Sequence, residues 1–211
     1  MMPTIQRPKR NMKDSKIAIM GGSFDPVHLG HLFLLHTALT LTDYRTIILI
    51  PAKVSNFKQS SRPCASDEDR LEMLKLSLED FFELYPQHKG ADIRISDMEL
   101  KRGGVSYTSD TVKLLKGQNR LGIILGDDHI EGLTRWHDYD YLKDNVEYLI
   151  CRRESSESCW KSLPKEIVYQ RLEPQGLAPQ SSSAIRTQPE VREGFLSKRV
   201  MNYVTDKNLY N

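Results

Sequence analysis

The chain has 211 residues and is 39% hydrophobic, enough for one well-buried α/β domain and unlike a disordered polypeptide. Its 30 Lys and Arg nearly balance 28 Asp and Glu, and a net charge of +2 excludes the strong basic field of a nucleic-acid binder. No apolar run approaches the ~18–20 residues of a membrane helix, no apolar leader opens the sequence, and Cys64, Cys151 and Cys159 form no CxxC pair, so the expected setting is a reducing cytoplasm.

Residues 1–14 carry Arg7, Lys9, Arg10 and Lys13 with little to bury and read as a flexible tail. Lys16–Met20 is a short β-branched apolar run halted by GGSFDP, which predicts the first strand. Leu29, Leu32, Leu35 and Leu39 step by three and four residues and predict a helix over His28–Leu41. Thr46–Pro51 predicts a second buried strand, followed by a polar loop over Ala52–Ala65 that holds Lys53, Lys58 and Arg62. Ser66 with Asp69 resembles a capping box and opens an amphipathic helix to about Phe82, with Leu71, Leu74 and Leu78 on its stripe. Asp92–Ser96 alternates like a strand, and SYTSDTVKLLK begins with polar caps and continues as a helix. Leu121–Gly126, Val146–Cys151 and Glu166–Leu172 predict three more strands, and helices follow Ser182 and Ser197.

Strands alternating with helices predict a Rossmann-like, doubly wound α/β fold: a parallel sheet with helices on both faces. We expect a single domain over residues 15–211, its end, about 178–211, packing on as a small helical subregion.

In such sheets ligands bind beyond the carboxyl ends of the strands, where GGSFDPVHLGH lies. Gly21 and Gly22 permit positive φ and close approach to backbone amides, Ser23 offers a hydroxyl, and Pro26 stiffens the loop. The helix N-terminus behind it suits phosphate. His28 and His31, three residues apart, share one face of the first helical turn and can donate to phosphate oxygens, with Gly30 clearing the approach. The pattern is neither a P-loop nor G-x-G-x-x-G, which excludes those two phosphate cradles. Taken alone, Trp136 reads equally as core packing, Tyr107 as a helix-entry residue, and Arg152 with Arg153 as a solvated pair.

Four blocks in order carry a resemblance: GGSFDPVHLGHL, GVSYTSDT, GDDHIEGLTRWHDY and SSSAIR. Together they resemble the HxGH nucleotidyltransferases, and within them the bacterial nicotinate mononucleotide adenylyltransferases, over nearly the whole chain from Lys16. The resemblance implies transfer of AMP from ATP to nicotinate mononucleotide, with deamido-NAD and pyrophosphate as products. It implies an ATP site of Gly21, Gly22, Ser23, Phe24, Gly30, His31, Asp128, Ser182, Ser183 and Arg186. It implies that Tyr107 and Thr108 hold the nicotinate carboxylate through backbone groups, that Trp136 stacks on the pyridine, and that Arg153 lies on the substrate side. His28, His31, Lys58 and Arg186 would offset charge growing on the phosphates. Phe57 stands where the family often has histidine, and Gln180 and Ala184 depart from its C-terminal motif.

The acceptor's phosphate is itself the nucleophile, largely ionised at neutral pH with a second pKa near ~6, so neither a general base nor an enzyme nucleophile is expected. Mg²⁺ would arrive with ATP, held by phosphate and water. The expected partners are ATP and nicotinate mononucleotide, with no nucleic acid, no membrane, and self-association left open. Other acceptors, nicotinamide mononucleotide first among them, and a sensor that binds nucleotide without turnover are the alternatives.

Overall fold

The computed structural model describes residues 15–55, 63–117, 119–153, 158–176 and 181–211. The expected tail over residues 1–14, together with Lys58, Phe57 and Gln180, lies outside the described residues.

Strand β1 (Lys16–Gly22) runs into the glycine turn, and α1 (Leu29–Leu41) follows it. Next come β2 (Thr46–Pro51), a two-residue β3 (Val54–Ser55) and α2 (Asp67–Leu84). Ser66 caps α2 by accepting the Asp69 N–H at 3.0 Å, and Asp67, Glu68 and Asp69 place negative charge against the helix N-terminus. Then follow β4 (Asp92–Ile95), α3 (Met98–Arg102), β5 (Val105–Ser106), α4 (Thr108–Lys116) and β6 (Arg120–Gly126). A 3-10 helix over Asp127–Arg135 leads to α5 (Tyr139–Asn145), β7 (Val146–Cys151) and β8 (Val168–Leu172). The chain continues through α6 (Ser182–Thr187), α7 (Arg192–Phe195) and α8 (Lys198–Asp206).

Six strands form one sheet in the order β4-β2-β1-β6-β7-β8, and every neighbouring pair is parallel. Alternate residues of each strand feed two separate cores. Ala18, Met20, Ile47, Leu49, Ile124 and Leu149 pack under α1, α2 and α8. Ile19, Ile48, Ile50, Ile123, Leu125, Tyr148 and Ile150 pack against α4, α5 and the 3-10 helix. A sheet buried on both faces explains why its strands read as continuous apolar runs. The chain leaves β1 outward through β2 to β4 and returns to the other side of β1 at β6. A topological switch point therefore lies between β1 and β6, where such sheets open a crevice for ligands.

The short sheet of β3 and β5 was not expected within the polar loop. It pairs Val54 with Val105 and Ser55 with Ser106, and so ties the loop after β2 to the entry of α4. The glycine turn also differs from expectation. Gly21 and Gly22 are not in the positive-φ region; they extend β1, opposite Ile50 and Pro51 of β2. The left-handed residue is Phe24, at φ 46°. Such a conformation costs a side-chain-bearing residue on the order of 1–2 kcal/mol, and burial of the Phe24 ring to 1% exposure holds it there.

Candidate active site

A cavity of about 250 Å³ opens at the switch point. Gly21, Gly22, Ser23 and Phe24 line it from the first turn, and His31 from α1. Thr108 and Trp136 line it as well, and Asp128, Arg153 and Ser182 complete the wall. Four stretches separated by up to about 160 residues thus converge on one space.

The turn is held rigidly. Asp25 is 3% exposed, and its carboxylate accepts the N–H groups of Cys64 and Ala65 at 2.8 and 3.0 Å and the Tyr210 hydroxyl at 2.8 Å. Arg186 donates to the Asp25 carbonyl at 2.5 Å, and Ser182 Oγ donates to the Pro26 carbonyl at 2.9 Å. From below, the fully buried Arg70 donates to the carbonyls of Ser23 and Ala52, both at 2.7 Å, and to Asp67 at 2.6 Å. Asp67 also pairs with Lys53. Sequence reasoning missed Asp25, Arg70 and Tyr210 as supports. Asp25 stood inside the motif without an assigned role, and Arg70 was one unassigned position of an amphipathic helix.

The two histidines take different places. His28 is the N-cap of α1 with extended backbone and does not line the cavity, whereas His31 does. Their rings lie 3.7 Å apart, and the His28 N–H donates to His31 Nδ1 at 3.2 Å. With Nδ1 accepting, the neutral His31 ring carries its proton on Nε2. His28 is buried, its Nδ1 has no hydrogen-bond partner in the described structure, and its pKa is pushed well below the usual imidazole range. Burial is the first cause, followed by His31 and Arg153. The two rings therefore do not stand side by side on an open face; His28 backs His31.

On the far wall, Asp128 is in the first turn of the 3-10 helix, and Arg153 follows β7 with Nη1 3.5 Å from the Asp128 carboxylate. Gly126 makes this possible: a Cβ there would stand 2.3 Å from Asp128 Oδ1 and 2.6 Å from Arg153 Cδ. The backbone of Arg153 is anchored to buried Asp127, its N–H donating to Oδ1 at 3.2 Å. Trp136 is 9% exposed and edges onto His129. Tyr107 is the N-cap of α4, but its ring stacks on His137 at 4.1 Å, outside the lining. Ser183, Arg186 and Gly30 are also outside the lining. Glu99, which the sequence did not single out, is inside it.

An extended glycine strand-end, a helix N-terminus with a donor imidazole, and an opposed carboxylate–arginine wall at the switch point of a parallel sheet define a nucleotide-binding crevice. A family model described as cytidylyltransferase-like matches residues 19–188, and the enzyme is a nucleotidyltransferase. A Listeria innocua protein named "Probable nicotinate-nucleotide adenylyltransferase" is 33% identical over 198 residues, covering 92% of this chain and 97% of that one. A Borreliella afzelii protein of the same name is 29% identical over 203 residues, covering 92% and 96%. The solved structure of the Plasmodium falciparum nicotinic acid mononucleotide adenylyltransferase complexed with NaAD shares the fold with TM-score 0.75 at 22% identity, covering 92% and 97%. The chain belongs to the cytidylyltransferase-like family and, within it, to the nicotinate-nucleotide adenylyltransferases.

Proposed function

We propose that the protein transfers the AMP moiety of ATP to nicotinate mononucleotide, giving deamido-NAD and pyrophosphate. The observation that carries this reading is the switch-point cavity, where Gly21–Phe24, His31, Thr108, Asp128, Trp136, Arg153 and Ser182 line one space. The family relationship points to the same reaction.

The acceptor phosphate attacks the α-phosphorus of ATP in line. The new bond forms from a phosphate oxygen, and the bond to the bridging oxygen of pyrophosphate breaks. The nucleophile is already an anion, so the protein's work is positioning and charge stabilisation. We assign Gly21 and Gly22 to close approach of the nucleotide, since a Cβ on Gly21 would meet nothing within 4 Å and the space there is open to a ligand. His31, with Nε2–H as donor, faces the phosphates; His28, buried and neutral, backs it. Asp128 takes the ATP side and Arg153 the acceptor side. Trp136 stacks on the pyridine, and the backbone of Tyr107 and Thr108 receives its carboxylate at the α4 N-terminus. Arg186 braces the turn through Asp25, and with Ser183, 3.4 Å from its Nη2, is assigned to the outer phosphates.

Magnesium bound with ATP supplies charge neutralisation on the triphosphate. Among the described residues, no group of three or more His, Cys, Asp and Glu side chains could hold a metal ion. The exposed Asp128 carboxylate on the cavity wall suits an ion held mainly by phosphate and water. We take residues 15–211 as one domain: Arg199 of α8 binds Glu79, Asp80 and Glu83 of α2 and ties the C-terminal helices to the sheet's cover. Among the described residues no helix is long and apolar enough to cross a membrane. The free thiols of Cys64, Cys151 and Cys159 suit a reducing compartment, and we place the enzyme in the cytoplasm.

The test is pyrophosphate release from Mg-ATP with each acceptor supplied separately. Nicotinate mononucleotide should give the highest kcat/KM. No release with any acceptor overturns the activity, and faster turnover of nicotinamide mononucleotide overturns the acceptor. His31→Ala should lower kcat by about 100-fold, the scale of one lost transition-state donor.

A further inference from the structure

One acidic side chain in the cavity has no part in the phosphate chemistry. Glu99, in the first turn of α3, lines the same space as Thr108 and Trp136, yet is only 6% exposed. Thr111 Oγ1 of α4 donates to its Oε1 at 2.5 Å, and the Ser106 hydroxyl of β5 bonds to the same carboxyl group. Ser106 Oγ in turn accepts the Lys53 N–H at 2.9 Å. Glu99 therefore fastens α3, β5 and α4 together at the corner assigned to the pyridine end of the acceptor.

Its electrostatic surroundings are mixed. Burial pushes the carboxyl above the usual glutamate range, and the hydrogen bonds from Thr111 and Ser106 only partly offset that. Arg102 on its own helix pulls in the downward direction, and Asp110 on α4 pushes upward. Across the cavity stand His31 of α1, Asp128 and His129 of the 3-10 helix, and Arg153 after β7. A carboxyl group in this place has opposite effects on an incoming anion in its two protonation states, and a water-poor cavity wall amplifies the difference.

We propose that Glu99 sets the charge preference for the acceptor: uncharged, it admits the carboxylate of a nicotinate; ionised, it repels that carboxylate and favours a neutral amide in its place. This rests on the acceptor reading above. It makes Glu99 a specificity-determining residue on a site whose phosphate end is built from other elements.

The measurement is the ratio of kcat/KM for nicotinate mononucleotide to that for nicotinamide mononucleotide, followed from about pH 5 to about pH 9, a span that starts near the usual glutamate range and runs in the direction in which burial moves this carboxyl. Where the amide is turned over too slowly, its Ki as a competitive inhibitor replaces its kcat/KM. Both acceptors share phosphate, ribose, ATP and magnesium, so the titration of those groups cancels in the ratio. The nicotinate carboxylate stays ionised throughout. In the wild-type enzyme the ratio should fall at least about fivefold as pH rises, a repulsion of ordinary size for like charges on a protein wall. In Glu99→Gln it should stay flat, and in Thr111→Val, which loses a bond favouring the carboxylate, the fall should move to higher pH. A flat ratio in the wild-type enzyme overturns the proposal without recourse to any variant, and so does an equal fall in Glu99→Gln. Absence of pyrophosphate with both acceptors overturns the activity itself and this inference with it, which separates the two failures.

Discussion

Arg70 shows how much of the site depends on a residue that never reaches the cavity. Its guanidinium is fully buried and spans three acceptors: the carbonyls of Ser23 and Ala52 and the carboxylate of Asp67. A planar fork suits that arrangement, and the point charge of lysine does not. Arg70→Met leaves the Ser23 and Ala52 carbonyls without their donor and Asp67 with Lys53 alone. It should cost about 2–5 kcal/mol, the scale of two buried acceptors left unpaired, read as a lower urea midpoint at unchanged m-value. A loss within error would mean that the turn after β1 stands without it. His31, singled out in the sequence by its place in GGSFDPVHLGH, lines the cavity. His28 shares the spacing but not the cavity wall: it is the buried N-cap of α1, with extended backbone at φ −146°. Asp25 left no such trace, since Cys64, Ala65 and Tyr210 lie 39, 40 and 185 residues away, and neither did the bond from Arg70 to Ser23, 47 residues away.

The elements themselves were largely legible. The apolar runs at Lys16, Thr46, Leu121 and Val146 are strands, and the leucine steps after His28 are α1. Ser66 with Asp69 was read as a cap from sequence, and it is one. Ser66→Ala should therefore cost about 1 kcal/mol of stability, measurable by denaturant titration and without effect on turnover. The paired β3 and β5 were not legible, because a two-residue strand has no periodicity to detect. That small sheet positions Ser106 and hence the α4 entry, so the acceptor corner is less visible in sequence than the phosphate turn. Gly122 of β6 is a further hidden constraint: a Cβ there would meet the buried Tyr44 ring at 2.9 Å. Gly122→Ala should destabilise by about 1–3 kcal/mol through overpacking, seen as a lowered Tm with KM for ATP preserved in the folded fraction.

At the scale of the molecule, the histidines give stability a pH dependence with a definite sign. His28, His36 and His88 all have folded pKa values below 6.5, each chiefly through burial. The unfolded chain binds those protons first, so the stability they contribute is complete above about pH 6.5 and declines as pH falls through that value toward the folded pKa values. Asp67 and Asp69, held below the usual range, contribute stability that is lost only at more acidic pH. Glu99, raised, has the opposite sign: its contribution is present at low pH and fades as pH rises. The urea midpoint should drop between about pH 7.5 and 5.5, and the drop should shrink in His28→Gln. The alternation of apolar strands and helices predicted the two-faced parallel sheet, but strand order is a property of pairing across long separations, and no local pattern encodes it. The same separations set the order of assembly. β1 and its turn are near the start of the chain, while Ser182, Arg186 and Tyr210, which clasp Asp25 and Pro26, lie 156, 161 and 185 residues later. Closing loops of that length is entropically slow to be rewarded. During synthesis the phosphate turn would emerge early and remain unclasped until those late residues leave the ribosome. If those contacts close only after the folding barrier, ATP bound as proposed above should slow unfolding while leaving the folding rate nearly untouched.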